Sequence, residues 1–261
     1  MLDAAHLCEG GHHLDVAHGS GDSLLLVLDR TAGPAAYPPQ TSITGITSMA
    51  AHSQRAKDRV AMAKPQDDNE SSVRLVCGDA IFRPGSTGSD THPFAPTSKG
   101  RYTSIICLDA AYHFVTRHTF LSQAFEALAP GGTLALGDNL SSASYPTSTP
   151  TTWALTRAKR QPSAPSPVAR LLLLRLLPLL SVPAANIVPL PELAQQLLDL
   201  GFEDVAIEDV SEDVWPGFAA FLRQRGLLWR AAGWTIDWLG GSGGLRWVIV
   251  RARRPADVVQ R

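Results

Sequence analysis

The chain has 261 residues, of which 44% are hydrophobic, so it is long enough to bury the core of one large α/β domain. A formal net charge of -1 and the lack of long Lys or Arg runs argue against nucleic acid as the principal ligand. Cys8, Cys77 and Cys107 are too few and scattered for a disulfide framework or a Cys-x-x-Cys zinc site. A reducing compartment is favoured, and since no signal-peptide pattern opens the sequence, the expected location is the cytoplasm.

Seven short apolar runs predict strands, and most are separated by segments with a helical pattern. The runs are 13–17, 42–47, 73–78, 103–109, 133–138, 204–210 and 245–252. This alternation is typical of an α/β fold with a doubly wound, Rossmann-like sheet that is mostly parallel and covered on both faces. The last strand is expected to be antiparallel and to pair with its predecessor at the sheet edge.

Three stretches rich in Pro, Ser, Thr and Gly are predicted to be loops, namely 31–40, 84–100 and 141–167. We expect a single domain over 1–261. Its cofactor-binding core is expected at 12–140, an insert or lid at 141–190, and the C-terminal part of the sheet at 191–261.

A glycine turn follows the first predicted strand, in "HHLDVAHGSGDSLLLVLD" (12–29). In doubly wound sheets a turn at this place commonly lies against the ligand. The dinucleotide fingerprint fails because Leu24 stands where its third glycine belongs, and no Gly-Lys-Ser/Thr completes a phosphate-binding loop. What remains is Asp15 followed by Ala17, Gly19 and Gly21 at alternate positions. Tight packing alone is the other explanation of these glycines.

This pattern resembles motif I of the class I S-adenosylmethionine-dependent methyltransferases, although that family usually has glycine in place of Ala17. Later landmarks follow in the family's order. "TGITSMAAHSQRAKDRV" (44–60) resembles its second strand and following helix, and "VRLVCGDA" (73–80) its third strand. "TSIICLDAAYHFVTRHTFLSQAFEALAPGGTLALGD" (103–138) resembles strand four, its helix, a Pro-Gly-Gly turn and strand five. The resemblance implies a methyltransferase of the small-molecule type with S-adenosyl-L-methionine as cofactor.

The resemblance also implies roles for cofactor-binding residues. The turn would pass beneath the cofactor, and Asp15 would organise its amino-acid end. Asp79 would accept a hydrogen bond from the adenine amino group, with the Ala80 backbone as donor to a ring nitrogen. A helix N-cap is the alternative role for Asp79. Thr47 stands where many relatives carry an acidic ribose ligand, which predicts weaker ribose binding.

The segment "LDAAYHF" (108–114) lies where the resemblance places the transferred methyl group. Asp109 is expected to hold the cofactor's ammonium or oppose its positive charge. Tyr112 would present a ring face or hydroxyl, and His113 would take the acceptor's proton. Packing beneath the next helix is the alternative for His113. For Arg117, a solvated helix face is favoured over a salt bridge or a contact to a substrate carboxylate.

The acceptor is expected beneath 141–190 and the helix around Trp215, Phe218 and Phe221, where apolar residues indicate a lipophilic small molecule. Ordinary core packing explains the same residues. The leucine-rich run 168–182 is short for a bilayer and contains two arginines and a proline, so it predicts a buried or interfacial helix with membrane-surface contact as an option.

His12, His13 and His18 suggest a metal site at first sight. Adjacent strand residues face opposite ways, however, and His18 lies inside the turn, so no metal is expected. Relatives commonly carry tens of residues before motif I, whereas here the strand begins about ten residues after Met1. Either the chain is shorter than its relatives, or the insert or another subunit supplies the cap. The alternative function is a catalytically inactive binding or partner protein with this fold.

Overall fold

The structure is a computed structural model, and it describes residues 1–29, 36–63, 72–86, 89–115, 117–141, 153–157, 167–241 and 244–256. The strands are β1 (Gly11–Val16), β2 (Gln40–Thr47), β3 (Ser72–Cys77), β4 (Tyr102–Leu108), β5 (Leu128–Ser141), β6 (Ala154–Arg157), β7 (Glu203–Asp209) and β8 (Leu245–Arg253). The helices are α1 (Asp22–Leu28), α2 (Ala50–Ala63), α3 (Arg117–Ala127), α4 (Pro167–Leu176), α5 (Leu190–Asp199), α6 (Ser211–Arg223) and α7 (Leu227–Gly241).

All eight described strands form one sheet in the order β3-β2-β1-β4-β5-β8-β7-β6. Strands β1 to β5 run parallel, and β8 is antiparallel to both of its neighbours, β5 and β7. The predicted α/β class, mostly parallel order and antiparallel last strand are therefore confirmed. Since parallel strands end at a common edge, the residues that follow β1 to β4 lie side by side.

The strand count is eight rather than the predicted seven. The additional strand β6 pairs in parallel with β7, inside the stretch 141–167 that was predicted to be a loop. The predicted edge position of the β7 and β8 pair is therefore wrong within the described residues, because β6 covers β7. The remainder of that predicted loop, 142–152 and 158–166, lies outside the described residues, as do 31–35 of the first predicted loop and 87–88 of the second.

Successive residues of the strands point to opposite faces of the sheet and pack into separate hydrophobic cores there. On β4, Ile105 packs with Phe120 and Leu193 from α3 and α5. Its neighbour Ile106 packs with Leu24 and Val60 from α1 and α2. A third cluster joins α4, α6 and α7 to the start of β8. The prediction that helices cover both faces is confirmed.

Helices α6 and α7 approach each other closely because of two glycines in α7. A Cβ on Gly233 would lie 2.7 Å from the carbonyl oxygen of Ala219, and one on Gly240 would lie 2.8 Å from the Trp215 ring. Glycine is unfavourable inside helices, so its use here is explained by close packing. Helix α7 continues to Gly241 and so includes the first glycines of the Gly-rich stretch that precedes β8.

Candidate active site at the carboxyl ends of β1 to β5

Backbone hydrogen bonds align the residues that follow the parallel strands. The N–H of Ala17 donates to the Ile46 carbonyl at 2.7 Å, and that of Gly78 to the Thr47 carbonyl at 3.0 Å. On the other side of β1, the Asp109 N–H donates to the Gly137 carbonyl at 2.9 Å. The turn after β1, Thr47, Asp79 and Asp109 therefore share one edge of the sheet, as the sequence motifs predict.

The turn after β1 adopts left-handed backbone conformations at three of the predicted positions. The φ angles are 60° at Ala17, 55° at Gly19 and 87° at Gly21. A Cβ on Gly19 would meet no atom within 4 Å, whereas one on Gly21 would lie 3.1 Å from the Cβ of Ala56. Gly21 thus permits α1 and α2 to pack closely. Gly19 leaves bare backbone facing open space.

Asp15 lies buried on β1 beneath this turn and accepts a hydrogen bond from the Ser23 hydroxyl. Burial raises the pKa of Asp15 to about 7, and the Ser23 bond opposes that change. A cation placed beside this carboxyl would favour its ionised form. Asp15 therefore provides a site suited to a positively charged ligand group.

The predicted adenine ligand Asp79 has an exposed side chain with two protein partners. Its Oδ1 accepts the Ile81 N–H at 3.0 Å, and its Oδ2 lies 3.3 Å from Arg83. No helix follows it within the described residues 79–86, so the alternative N-cap role is wrong, and Asp79 instead caps a turn. Ala80 is buried in the core. Thr47 is buried at the end of β2.

Two of the three histidines near the turn bind neighbouring strands through their ring nitrogens. His12 Nδ1 lies 2.7 Å from Ser42 Oγ on β2, and His13 Nδ1 lies 2.8 Å from Ser104 Oγ on β4. Burial lowers the pKa of His13 to about 4. No group of three His, Cys, Asp or Glu side chains gathers as a metal site in the described part of the chain.

Past β4, the predicted methyl-transfer residues lie together beside a cavity of about 420 Å³. Asp109, Tyr112 and His113 line it, with Asn139 from β5. The Tyr112 hydroxyl donates to Asp109 Oδ1 at 2.5 Å, and the Tyr112 and His113 ring centroids lie 4.2 Å apart. His113 Nδ1 lies 3.2 Å from the Ser181 carbonyl oxygen.

Desolvation beside the cavity raises the pKa of Asp109 although the residue is exposed overall, and the Tyr112 bond opposes that change. Burial raises the pKa of Tyr112, and its bond to Asp109 adds to the effect. Tyr112 therefore remains a neutral hydrogen-bond donor throughout the physiological range.

The rest of the cavity wall is apolar. Its members are Leu173, Leu177, Leu180, Val182, Ile187, Val214, Trp215, Phe218, Ile236, Leu245 and Trp247. They come from α4, the segment after it, α6, α7 and β8. Trp215 and Phe218 thus take the predicted place, while Phe221 is exposed and contributes nothing to the lining.

Behind the cavity lies a buried polar network that the sequence did not predict. Arg117 Nη1 lies 3.3 Å from Asp138 Oδ2 and donates to the Asn186 carbonyl at 2.7 Å. The Asn186 side chain donates to the carbonyls of Tyr112 at 2.9 Å and Phe114 at 2.6 Å. The prediction of a solvated Arg117 is wrong, and its salt-bridge alternative is confirmed. The available signal was Asp138 at the end of the predicted apolar run 133–138.

Comparison with known proteins agrees with this geometry. The chain is 30% identical over 220 residues to erythromycin 3''-O-methyltransferase of Saccharopolyspora erythraea, an alignment spanning 82% of this chain and 58% of that protein. It also matches geranyl diphosphate C-methyltransferase from Streptomyces coelicolor A3(2), solved with Mg²⁺, geranyl diphosphate and S-adenosyl-L-homocysteine. That match has a TM-score of 0.65 and 17% identity over 97% of this chain and 77% of the other.

This chain has the fold of the class I S-adenosylmethionine-dependent methyltransferases. The resemblance predicted from its motifs is confirmed. A further match to this methyltransferase fold is Haemonchus contortus phosphoethanolamine N-methyltransferase 2 in complex with S-adenosyl-L-methionine, with a TM-score of 0.63 and 13% identity over 97% of this chain and 51% of the other. No family model matches the sequence. The chain therefore spans about half to three quarters of the length of these three methyltransferases.

Proposed function

We propose that the protein transfers a methyl group from S-adenosylmethionine to a hydroxyl of a small lipophilic molecule. The observation that carries this proposal is the position of Asp109 and Tyr112. They follow β4, which pairs with β1 beside the glycine turn, and they also form the polar corner of an otherwise apolar cavity. Asp109 and Tyr112 thus lie between the glycine turn, which suits a polar ligand, and a pocket that suits an apolar ligand.

The residues around the turn fit the cofactor. Gly19 offers bare backbone with free space beside it, which suits the close approach of a nucleoside. Asp15 offers a carboxyl group whose ionisation a nearby ammonium would favour. Thr47 and Asp79 at the ends of β2 and β3 would hold the ribose and the adenine. When bound, the cofactor supplies an electrophilic methyl group on a sulfonium.

The chain's own residues would orient the acceptor and remove its proton. Donation from His113 Nδ1 to the Ser181 carbonyl leaves Nε2 with a free lone pair, so Nε2 would take the hydroxyl proton. The cofactor held by Asp15, Thr47 and Asp79 would supply the methyl carbon to the deprotonated acceptor oxygen, and its sulfur would keep the electron pair of the broken carbon–sulfur bond. Tyr112 and Asn139 would position the oxygen, and alignment of the reacting atoms supplies much of the rate.

The apolar wall supports a lipophilic acceptor, and the curated relative supports O-methylation. That relative methylates erythromycin at the 3'' oxygen, according to its name. We therefore favour a hydroxyl carried by a bulky apolar molecule, such as a sugar on an apolar aglycone. N- and C-methylation are the runner-up reactions, because the fold supports several acceptor atoms.

Isothermal titration with S-adenosylmethionine, S-adenosylhomocysteine and NADH tests the cofactor assignment. We expect micromolar binding of the two sulfur compounds and none of NADH. Gly19→Leu should weaken binding by at least about tenfold, because its side chain would occupy the cradle. Gly100→Leu is a matched control, since Gly100 has a φ of 65° with no atom within 4 Å of its Cβ position and lies outside the site.

Failure of both sulfur compounds to bind a folded chain would contradict the proposal and favour a binding or partner protein without turnover. Where they bind, transfer of labelled methyl to a panel of apolar glycosides, amines and carbon acids tests the reaction and identifies the acceptor atom.

A further inference from the structure

Helix α7 exposes an apolar stripe to solvent. Leu227, Trp234 and Trp238 recur at i, i+7 and i+11, which places them on one side of the helix. Their exposed fractions are 83%, 61% and 43%. The opposite side carries Gly233 and Gly240, which pack against α6. Large exposed apolar patches on soluble domains mark interaction surfaces.

Helix α4 repeats this arrangement. Ala169, Leu173 and Leu177 pack inward against α6 and α7, whereas Leu171 and Leu174 remain exposed on the outer side. Beyond the helix, Leu179 and Leu180 are exposed as well.

The cavity opens next to these helices. Leu180 and Phe218 both line the cavity and are exposed, so they form part of its mouth. Leu180 follows the exposed Leu179 after α4, and Phe218 lies on α6, which packs against α7.

The charges on this surface are mostly positive. Arg170 and Arg175 lie in 167–182, which contains no acidic residue. Arg223, Arg225 and Arg230 lie in 223–241, where the one acidic residue, Asp237, pairs with Arg223 at 3.1 Å. Two of these arginines stack on exposed aromatic rings, with Arg223 5.0 Å from the Trp234 centroid and Arg225 4.1 Å from that of Phe221. The whole chain carries a net charge of -1, so this concentration of cations is local.

We propose that the α4 and α7 surface docks on an anionic lipid membrane. Trp and Leu side chains would enter the interface, where aromatic rings are favoured, and the arginines would contact lipid phosphates. The docking is peripheral, because no helix among the residues described is long and apolar enough to cross a membrane. This property extends beyond the proposed methyl transfer and does not depend on it.

A second copy of the chain is the competing occupant. A two-fold contact would bring together two copies of one patch in which five arginines outnumber a single aspartate, Asp237. Like charges facing each other are destabilising, whereas a phosphate surface neutralises them. Charge complementarity therefore favours the membrane.

Co-sedimentation of the full chain with vesicles tests the proposal. We expect binding to phosphatidylcholine vesicles containing about 30% phosphatidylglycerol, little binding to phosphatidylcholine alone, and loss of binding as salt rises from about 0.1 to 0.5 M. The double variant Trp234→Gln/Trp238→Gln should bind at least about tenfold more weakly. Arg170→Gln/Arg175→Gln should do the same on anionic vesicles only. Met62→Gln is the control, because Met62 is exposed on α2, away from this surface.

Far-UV circular dichroism and the unfolding temperature check that the variants fold. If the tryptophan double variant does not fold, Trp238→Gln alone replaces it. Protein that stays in the supernatant with anionic vesicles at low salt would overturn the proposal, as would binding that neither double variant changes. A dimer in sedimentation velocity that Trp234→Gln/Trp238→Gln dissociates would assign the surface to a second copy instead.

Discussion

Arg117 and Asp138 form an ion pair inside the protein, with Nη1 and Oδ2 3.3 Å apart and side chains that are 2% and 0% exposed. Burial raises the pKa of Asp138 to about 6, while the charge of Arg117 opposes that change. Breaking a buried pair leaves one charge without compensation, which destabilises a protein more than the pair itself stabilises it.

Arg117→Met is therefore expected to lower the free energy of unfolding by about 3 kcal/mol at pH 7.5. Adding Asp138→Asn, which removes the orphaned charge but keeps an acceptor oxygen, should restore at least half of the loss. Urea unfolding of the two variants and the parent measures both effects. A change below about 1 kcal/mol in Arg117→Met would show that the pair is not buried as described.

The stability of the protein should depend on pH through Asp15. Its folded pKa of about 7 lies above the ordinary 3.8, so the folded state binds the proton more tightly than the unfolded state. The stability contribution of this group is fully present below about pH 4 and is lost as pH rises to about 7. In Asp15→Asn the titration is absent. Its free energy of unfolding relative to the parent should therefore be about 3 kcal/mol higher at pH 8 than at pH 5.

Urea unfolding at both pH values measures this difference, and the titration of other groups cancels because both proteins share it. An unchanged difference between pH 5 and pH 8 would mean that Asp15 ionises as an ordinary carboxyl group.

Ala17 carries backbone strain that glycine would relieve. Its φ of 60° is unfavourable for a residue with a Cβ. Ala17→Gly is expected to raise the free energy of unfolding by up to about 1 kcal/mol. Glycine also increases the conformational entropy of the unfolded chain, which reduces this gain. Gly19→Ala, at a φ of 55°, should lower the free energy of unfolding by about 1 kcal/mol. Thermal unfolding compares the two. Destabilisation by Ala17→Gly would contradict the left-handed conformation.

The glycines of α7 offer a matched pair for the packing of α6 and α7. Gly233→Ala is expected to destabilise the protein by about 1–3 kcal/mol, since its Cβ would lie 2.7 Å from a backbone carbonyl. Gly241→Ala, with no atom within 4 Å of its Cβ position, should be neutral or stabilising by a few tenths of a kcal/mol. Guanidinium unfolding distinguishes them, and equal effects would argue against close contact between the helices.

His113 and Tyr112 should affect turnover more than cofactor binding, provided that the proposed reaction is correct. His113→Ala is expected to lower kcat by about 10²-fold or more, and Tyr112→Phe by a smaller factor, with the Kd for S-adenosylmethionine changed less than threefold. Labelled-methyl kinetics and titration supply the two quantities. Unchanged turnover in His113→Ala would remove that residue from the mechanism and leave it a packing role.

The strands of the core were predictable because Val- and Ile-rich runs bounded by turn residues encode them locally. Strand β6 was not, since its four residues lie among Pro- and Ser-rich neighbours and owe their conformation to pairing with β7. Helix α7 was missed because its exposed tryptophans and internal glycines obscure the usual amphipathic pattern. Each of these elements depends on contacts between segments distant in sequence.

The distance in sequence between contacting residues also explains which site residues were predicted and which were not. Asp15 lies on β1, and Gly19, Asp79 and Asp109 follow strands within a few residues, so local motifs predicted that they share one edge of the sheet. The role of Arg117 depends on Asp138, 21 residues away, and that of Asn186 on carbonyls more than 70 residues away. Local spacing contains no information about such partners.

Asn186 joins two parts of the site that would otherwise move separately. Its side chain binds the carbonyls of Tyr112 and Phe114, and its neighbour Ile187 belongs to the apolar wall. Displacement of the wall by an ill-fitting acceptor therefore also displaces the corner that holds Asp109 and Tyr112. For the proposed methyl transfer, an acceptor of the wrong shape would then lose reaction rate as well as affinity.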